Sequence, residues 1–142
     1  MSGFLIDTNV LSELARPRPS RRVVAFLNEK SLDDLYLCDV IIAEIRFGLE
    51  MATDATRRSR FATWLETFVR PNFAGRILVL TEDVFLQWRL MKEAGRKDRH
   101  TYPEPDLLIA ATAIHYHLTV ITRDVAPFQR VNVPVINPWD RG

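Results

Sequence analysis

The sequence predicts an α/β fold in which helices cover both faces of a central, mostly parallel sheet of four to five strands. One observation is that short apolar runs of strand length alternate with longer segments of helical periodicity. Another is that the composition, 47% hydrophobic and 26% charged in 142 residues, is that of one ordinary globular domain. No internal repeat, low-complexity segment or long linker divides the chain, so residues 1–142 are predicted to form a single domain.

The strands are predicted from short apolar runs and the helices from the periodic segments between them. The strands occupy residues 3–6, 35–38, 77–80 and 118–122, and the tail at 131–136 adds a short fifth. The helices are predicted at 8–15, after Ser20, at 40–51 and 56–69, from Thr81 or Glu82 to about Arg96, and at 106–117. Pro17 and Pro19 end the first helix, Ser20 is the N-cap of the second, and residues 98–105 form a polar loop.

Composition and charge exclude several classes of protein. No apolar run approaches the roughly 18 residues of a membrane span, and Asp7 interrupts the first apolar stretch too early for a signal peptide. We therefore expect a cytoplasmic protein with no membrane partner. The single cysteine, Cys38, excludes an internal disulfide and is interpreted as a buried thiol. The net charge of +1 does not decide on a nucleic-acid partner, although basic residues cluster at 16–22, 57–60 and 96–99.

Three aspartates lie where predicted strands or loops lead into helices. Asp7 follows the first strand, Asp106 begins the helix at 106–117, and Asp124 follows the strand at 118–122. Asp7 and Asp106 have an alternative interpretation as helix N-caps, and Asp124 as an ordinary turn residue. Since ligands collect at the carboxyl ends of parallel strands, the three aspartates are also candidates for one shared site.

A glutamate interrupts an apolar stripe on the predicted helix at 40–51. Positions 40, 44, 47 and 51 share one helical face, and the other three are Val40, Phe47 and Met51. A lone buried charge is unfavourable, so Glu44 is expected to have a cation or a hydrogen-bonding partner. A salt bridge to an arginine is the alternative to a place in the shared site.

Together the four carboxylates predict a metal site. Two like charges about 4 Å apart repel by about 4 kcal/mol at an effective dielectric constant near 20, so four carboxylates would stay ionised together only with a compensating cation. Hard oxygen ligands favour Mg²⁺ or Mn²⁺, and the three histidines are not spaced as a competing ligand set. One or two such ions would activate water and neutralise charge on a phosphate, which indicates phosphoryl chemistry.

Five short motifs, in order along residues 4–138, resemble those of PIN-domain ribonucleases of the VapC toxin type. The first is FLIDTNVLSE at 4–13, and the second is AEIRFG at 43–48. The third is DLLIAATA at 106–113, the fourth is TRD at 122–124 with Phe128, and the last is VINP at 135–138. Each motif alone is short, but their order and spacing make the resemblance specific.

The resemblance implies a PIN-like three-layer α/β/α sandwich. It also implies a metal-dependent endoribonuclease that acts as the toxin of a toxin–antitoxin pair. The four carboxylates are the implied metal ligands and water activators, with Asp7 and Asp106 the most direct ligands. Thr8, Asn9 and Thr122 are implied to support these carboxylates or to position the scissile phosphate. Their alternative role is local hydrogen bonding in turns.

The resemblance also implies two partners, which are an RNA substrate and a cognate VapB-like antitoxin. It further implies that the chain forms a homodimer or a toxin–antitoxin hetero-oligomer. A segment of the antitoxin would lie along a groove that reaches the acidic site. The candidate groove is an aromatic stripe that faces two residues of the preceding helix. Its six residues are Phe47, Met51, Phe61, Trp64, Leu65 and Phe68. The alternative is that this stripe belongs to the core.

Two other functions compete with the ribonuclease. A haloacid-dehalogenase-like phosphatase also begins with a strand and an aspartate, but it needs a second acid two residues later, where this chain has Asn9. A non-catalytic PIN-like binding module would keep the fold and lose the activity. The presence of all four acids favours the enzyme over the binding module.

Overall fold

Residues 3–102 and 104–140 are described by the computed structural model, and they contain a five-stranded sheet. Its strands are β1 (Gly3–Ile6), β2 (Leu35–Cys38), β3 (Ile77–Leu78), β4 (Leu118–Ile121) and β5 (Val135–Ile136). Their order across the sheet is β3-β2-β1-β4-β5, and every neighbouring pair is parallel. The predicted α/β fold with a parallel sheet is confirmed.

Helices form the connections between the strands. They are α1 (Thr8–Glu13), α2 (Arg21–Asn28), α3 (Asp39–Met51), α4 (Ala55–Trp64), α5 (Arg70–Asn72), α6 (Glu82–Lys97), α7 (Glu104–Tyr116) and α8 (Ala126–Arg130). A 3-10 turn at Leu32–Asp34 precedes β2, and a π-helical segment at Leu65–Val69 joins α4 to α5. The predicted N-cap of α2 is confirmed, because the side chain of Ser20 accepts a hydrogen bond from the N–H of Val23.

Several element boundaries differ from the prediction. Helix α7 begins at Glu104, so Asp106 lies inside its first turn and is not the N-cap. Pro105 does not prevent this earlier start, because N–H groups of a first helical turn have no partner within the helix. Strand β3 has two residues where four were predicted, and α8 was not predicted at all.

Strand β1 lies where the strand order reverses. β2 and β3 lie on one side of it, and β4 and β5 lie on the other. The register pairs Ile6 with Ile121, and the N–H of Asp7 donates to the carbonyl oxygen of Ile121 at 2.9 Å. The residues that follow β1 and β4 are therefore neighbours, in the crevice where open α/β sheets bind ligands.

The core lies around the three central strands. Leu5, Leu37 and Val120 are each fully buried on β1, β2 and β4. Helix α7 packs against β4, and its buried Ala110 and Ala113 belong to the same core cluster. Since small side chains allow close packing of a helix, α7 holds its first turn near the exits of β1 and β4.

Within the described residues, no helix combines the length and the apolarity that crossing a membrane requires.

Candidate active site

Asp7 is the most buried of the four candidate carboxylates, at 5% exposure. It caps α1, and its Oδ1 accepts a hydrogen bond from the N–H of Thr8 at 2.7 Å. Its Oδ2 accepts one from the hydroxyl of Thr122 at 2.7 Å. Burial raises the pKa of Asp7 above its ordinary value, against the effect of these two hydrogen bonds, and the charge of Asp124 raises it further. The capping interpretation of Asp7 is correct, and it does not exclude a place in the predicted site.

A small polar network ties the exit of β1 to the exit of β4. The amide nitrogen of Asn9 lies 3.2 Å from the hydroxyl of Thr122 and 3.4 Å from Oδ2 of Asp7. The side-chain oxygen of Asn9 accepts from the N–H of Arg123 at 3.1 Å. The hydroxyl of Thr122 also accepts from the N–H of Asp124 at 3.1 Å. This network fixes the backbone that carries Asp7 and Asp124.

The electrostatic surroundings of Asp106 include the other three carboxylates. Its carboxyl group is half-buried in the first turn of α7. Burial raises the pKa of Asp106 to about 6, and the charges of Asp7, Asp124 and Glu44 raise it in the same direction. The other three predicted carboxylates therefore lie within electrostatic range of Asp106, and Asp7 lies within range of Asp124.

The acids do not form a ready coordination shell. In the part of the chain that the structure describes, no group of three or more His, Cys, Asp or Glu side chains is arranged to hold a metal ion. The chemistry of the donors nevertheless fits a hard divalent cation, because all four are carboxylates in a shared negative field. Thr8 adds a buried hydroxyl that has no hydrogen-bond partner among the described residues.

The prediction that Glu44 interrupts a buried apolar stripe is wrong. Helix α3 buries Ile41, Ile42 and Ile45, whereas Phe47 and Met51 are each 63% exposed. Glu44 is half-buried at the edge of the buried face, and no arginine of the described residues forms a salt bridge with it. The carboxylate therefore faces a cleft and does not interrupt a buried stripe.

This cleft, called the α3–α4 cleft below, has a volume of about 490 Å³. Its lining includes the polar residues Glu44, Thr8 and Ser12, and also Met51, Phe61, Trp64 and Arg57. Three of the six predicted groove residues therefore line a cleft that Glu44 also lines. Phe61 and Trp64 contact each other edge to face, with ring centroids 6.1 Å apart.

The other three predicted groove residues lie elsewhere. Leu65 is 2% exposed and packs in the core, so the core interpretation is correct for this residue. Phe68 is 41% exposed and stacks on Trp64 at 6.4 Å, outside the lining of the cleft. Phe47 is exposed but does not line the cleft either.

Sequence reasoning missed Ser12 and Arg57 as residues of the cleft. Ser12 lies one helical turn after Thr8, and Arg57 lies one turn before Phe61, so the spacing was a usable signal. The neighbouring Arg58 has a structural role, because its guanidinium donates to the carbonyl oxygens of Leu49 at 3.0 Å and Ala52 at 2.8 Å.

Comparisons with known proteins give a consistent result. The profile of the PIN domain family matches residues 4–134. The chain is 38% identical over 136 residues to the toxin FitB of Neisseria gonorrhoeae, which covers 96% of this chain and 98% of that protein. It is 35% identical over 137 residues to the VapC ribonuclease Y4jK of Sinorhizobium fredii, which covers 96% and 98% of the two chains.

Solved structures show the same similarity. The crystal structure of FitAcB from Neisseria gonorrhoeae matches with a TM-score of 0.89 at 38% identity, over 97% of this chain and 99% of that one. VapBC2 from Rickettsia felis, bound to a DNA fragment from its promoter, matches with a TM-score of 0.74 over 96% and 98% of the chains. At 17% identity, this second match supports the fold alone.

Proposed function

Because the chain belongs to the PIN-domain family, we propose that it is a metal-dependent endoribonuclease and the toxin of a toxin–antitoxin pair. The observation that carries this proposal is the placement of the carboxylates at the switch point of the sheet, where burial, and then the charges of Asp7, Asp124 and Glu44, raise the pKa of Asp106 to about 6. The names of its relatives, a VapC ribonuclease and a toxin, support RNA as the substrate. We also propose that residues 1–142 act as one domain in the cytoplasm.

In this proposal Asp7 and Asp106 hold one or two Mg²⁺ or Mn²⁺ ions, with Glu44 and Asp124 beside them. When bound, the metal supplies positive charge that lowers the pKa of a water molecule and stabilises negative charge on the phosphate. Asp7 is suited to a fixed position, because the hydroxyl of Thr122 and the N–H of Thr8 orient its two oxygens. Asp124 is exposed, so its carboxylate can approach a ligand with little rearrangement.

The polar residues around the acids have supporting roles. Thr122 and Asn9 hold the two strand exits in register, so they position Asp7 and Asp124 relative to each other. The buried hydroxyl of Thr8 has no hydrogen-bond partner among the described residues, and in this proposal it donates to a phosphate oxygen or to a water molecule in the α3–α4 cleft. In this proposal these polar residues orient the carboxylates, and the carboxylates hold the metal and the attacking water molecule.

The test is cleavage of total RNA by the purified chain with Mg²⁺, Mn²⁺ or EDTA. We expect cleavage with either metal and none with EDTA. Asp7→Asn and Asp106→Asn should abolish cleavage, whereas Asp34→Asn, which removes an exposed carboxylate of the 3-10 turn, should not. RNA binding without cleavage would favour a binding module, and hydrolysis of para-nitrophenyl phosphate in place of RNA would favour a phosphatase.

We further propose that a cognate antitoxin occupies the α3–α4 cleft. The cleft offers an apolar wall of Met51, Phe61 and Trp64 and leads to Glu44, so an amphipathic segment lying in it would reach the acids. The test is co-purification with the product of an adjacent reading frame. Phe61→Ser should weaken co-purification, whereas Phe68→Ser, which lies outside the cleft, should not.

A homodimer is the third part of the proposal. Helix α6 exposes Phe85, Leu86 and Leu90 at 46%, 57% and 59%, and Val79, three residues before the helix, is 61% exposed. Apolar residues grouped in this way are typical of a protein interface. Sedimentation velocity should show a dimer that Leu86→Glu with Leu90→Glu converts to a monomer. Leu32→Glu, at an exposed leucine on the 3-10 turn, should leave the dimer intact.

A further inference from the structure

A second cleft lies between α6 and the loop that follows it, and it is called the α6 cleft below. Its volume is about 430 Å³, and its lining includes Arg89, Lys92, Arg96, His100 and Tyr102. Neither the four carboxylates nor the proposed antitoxin cleft uses any of these residues. The α6 cleft is therefore separate from the acidic site and from the α3–α4 cleft, and it lies on the same helix as most of the proposed dimer residues, none of which lines it.

Positive charge is concentrated along this cleft. Arg89, Lys92 and Arg96 follow one another at spacings of three and four residues, so they share one face of α6. Residues 89–100 contain five Lys or Arg and two acids, and three of these cations and one of the acids, Glu93, line the cleft. One of these acids, Glu93, is engaged by Arg96 at 2.5 Å. A negatively charged ligand would therefore meet a local excess of cations here.

The far wall of the cleft is built by a reversal of the chain after α6. Arg99 has a φ of 57°, and the N–H of His100 donates back to the carbonyl oxygen of Gly95 at 2.7 Å. Gly95 makes room for the returning loop, because a Cβ atom there would lie 2.8 Å from the ring of Tyr102. The rings of His100 and Tyr102 contact each other with centroids 4.4 Å apart. The rings of His100 and Tyr102 thus line the same cleft as the cations of α6.

The α6 cleft adjoins the start of the helix that carries Asp106. Leu107, the next residue along α7, lines the cleft. An RNA strand at the four carboxylates meets a negative field and needs cations beside it to hold its flanking phosphates. Cations next to aromatic rings are the combination that binds single strands, through phosphate contacts and base stacking.

We propose that the α6 cleft binds the phosphate backbone of single-stranded RNA next to the bond that is cleaved. This inference rests on the proposed ribonuclease function and adds the site that holds the substrate. Arg89 and Lys92 contact phosphates, and the rings of His100 and Tyr102 stack on bases.

The experiment measures binding without cleavage. A fluorescein-labelled, 2′-O-methyl single-stranded oligoribonucleotide of mixed sequence is titrated with the full chain in EDTA, and anisotropy is followed over a series of KCl concentrations. Each phosphate contact contributes about 0.7 to the slope of log K against log salt for a single strand. Arg89→Gln with Lys92→Gln should therefore reduce the slope by about 1.4, which is roughly 25-fold weaker binding at about 0.1 M KCl.

Two matched variants distinguish binding at the α6 cleft from a general attraction between RNA and the positive charges of the protein. Arg21→Gln with Arg130→Gln removes the same charge from exposed positions outside the α6 cleft and should leave affinity and slope near those of the wild type. Arg89→Lys with Lys92→Arg keeps the charge and should retain binding. Equal losses in both Gln variants, no loss in either, or no binding by the wild type would each overturn the inference.

The outcome also separates this inference from the proposed function. A chain that binds the probe through Arg89 and Lys92 but cleaves no RNA with metal would overturn only the ribonuclease. A chain that cleaves RNA but binds the probe independently of these two residues would overturn only the α6 cleft.

Discussion

Asp106→Asn should make the metal-free protein more stable at neutral pH while it abolishes RNA cleavage. Burial, and then the charges of Asp7, Asp124 and Glu44, raises the pKa of Asp106 from 3.8 to about 6. A carboxyl group with a raised pKa in the folded state binds more protons there than in the unfolded chain. The free energy of unfolding therefore falls as the pH rises from about 4 to about 6, and it stays low above that. Asparagine at position 106 carries no charge, so the free energy of unfolding of the variant does not fall in this way.

The size of this stabilisation follows from the change in the pKa of Asp106. A change of about two pKa units corresponds to at most about 3 kcal/mol. Asp106 is only half-buried, and solvent screens its charge, so we expect a gain of roughly 1 to 1.5 kcal/mol in the free energy of unfolding at about pH 7. In a chain of 142 residues this is an increase in Tm of about 3 to 6 °C.

Urea unfolding in EDTA, from about pH 4 to about pH 8, measures this difference. The advantage of the Asn variant should be present at about pH 7 and should vanish near pH 4. Asp34→Asn removes an exposed carboxylate by the same substitution and should show no such dependence on pH. Added Mn²⁺ should stabilise the wild type more than Asp106→Asn. Equal stability of wild type and Asp106→Asn at about pH 7 would refute the electrostatic reasoning.

Three further predictions test the packing and the polar network. Thr122→Val should weaken Mn²⁺ binding in calorimetry by roughly 10- to 100-fold, because the hydroxyl that donates to Asp7 is lost, and an unchanged affinity would contradict a positioning role. Leu65→Ala should lower the free energy of urea unfolding by about 2 to 5 kcal/mol, and the exposed Phe68→Ala far less, so similar losses would contradict the described packing. Arg99→Gly should raise the free energy of unfolding by roughly 0.5 to 1 kcal/mol, because glycine adopts a φ of 57° without strain, and a decrease would count against this account.

The topology and the meeting of the acids could be predicted from the sequence. Short apolar strands alternating with helices indicate a parallel sheet, and aspartates directly after such strands must meet at one edge. The structure adds the register, which pairs Ile6 with Ile121 and so makes Asp7 and Thr122 neighbours. Strand pairing between residues so far apart in the chain is not encoded in any local pattern.

The surroundings of Glu44 could not be predicted in the same way. Its helix carries apolar residues on more than one face, and periodicity alone does not say which face the rest of the chain covers. Ile41, Ile42 and Ile45 are covered, whereas Phe47 and Met51 are not. The reversal at Arg99 was also unpredictable, because non-glycine residues adopt a left-handed φ only rarely.

The pairing of β1 with β4 has a consequence for synthesis of the protein. The hydrogen bond between Thr122 and Asp7 joins residues 115 positions apart, and Asp106 and Asp124 also belong to the last third of the chain. A nascent chain that has emerged only as far as α6 carries Asp7 and Glu44 but lacks the other half of the site. Contacts between residues so far apart in the chain are slow to form, because closing the long loop between them costs entropy. The four candidate carboxylates can therefore come together only after residues 118–124 have been synthesised.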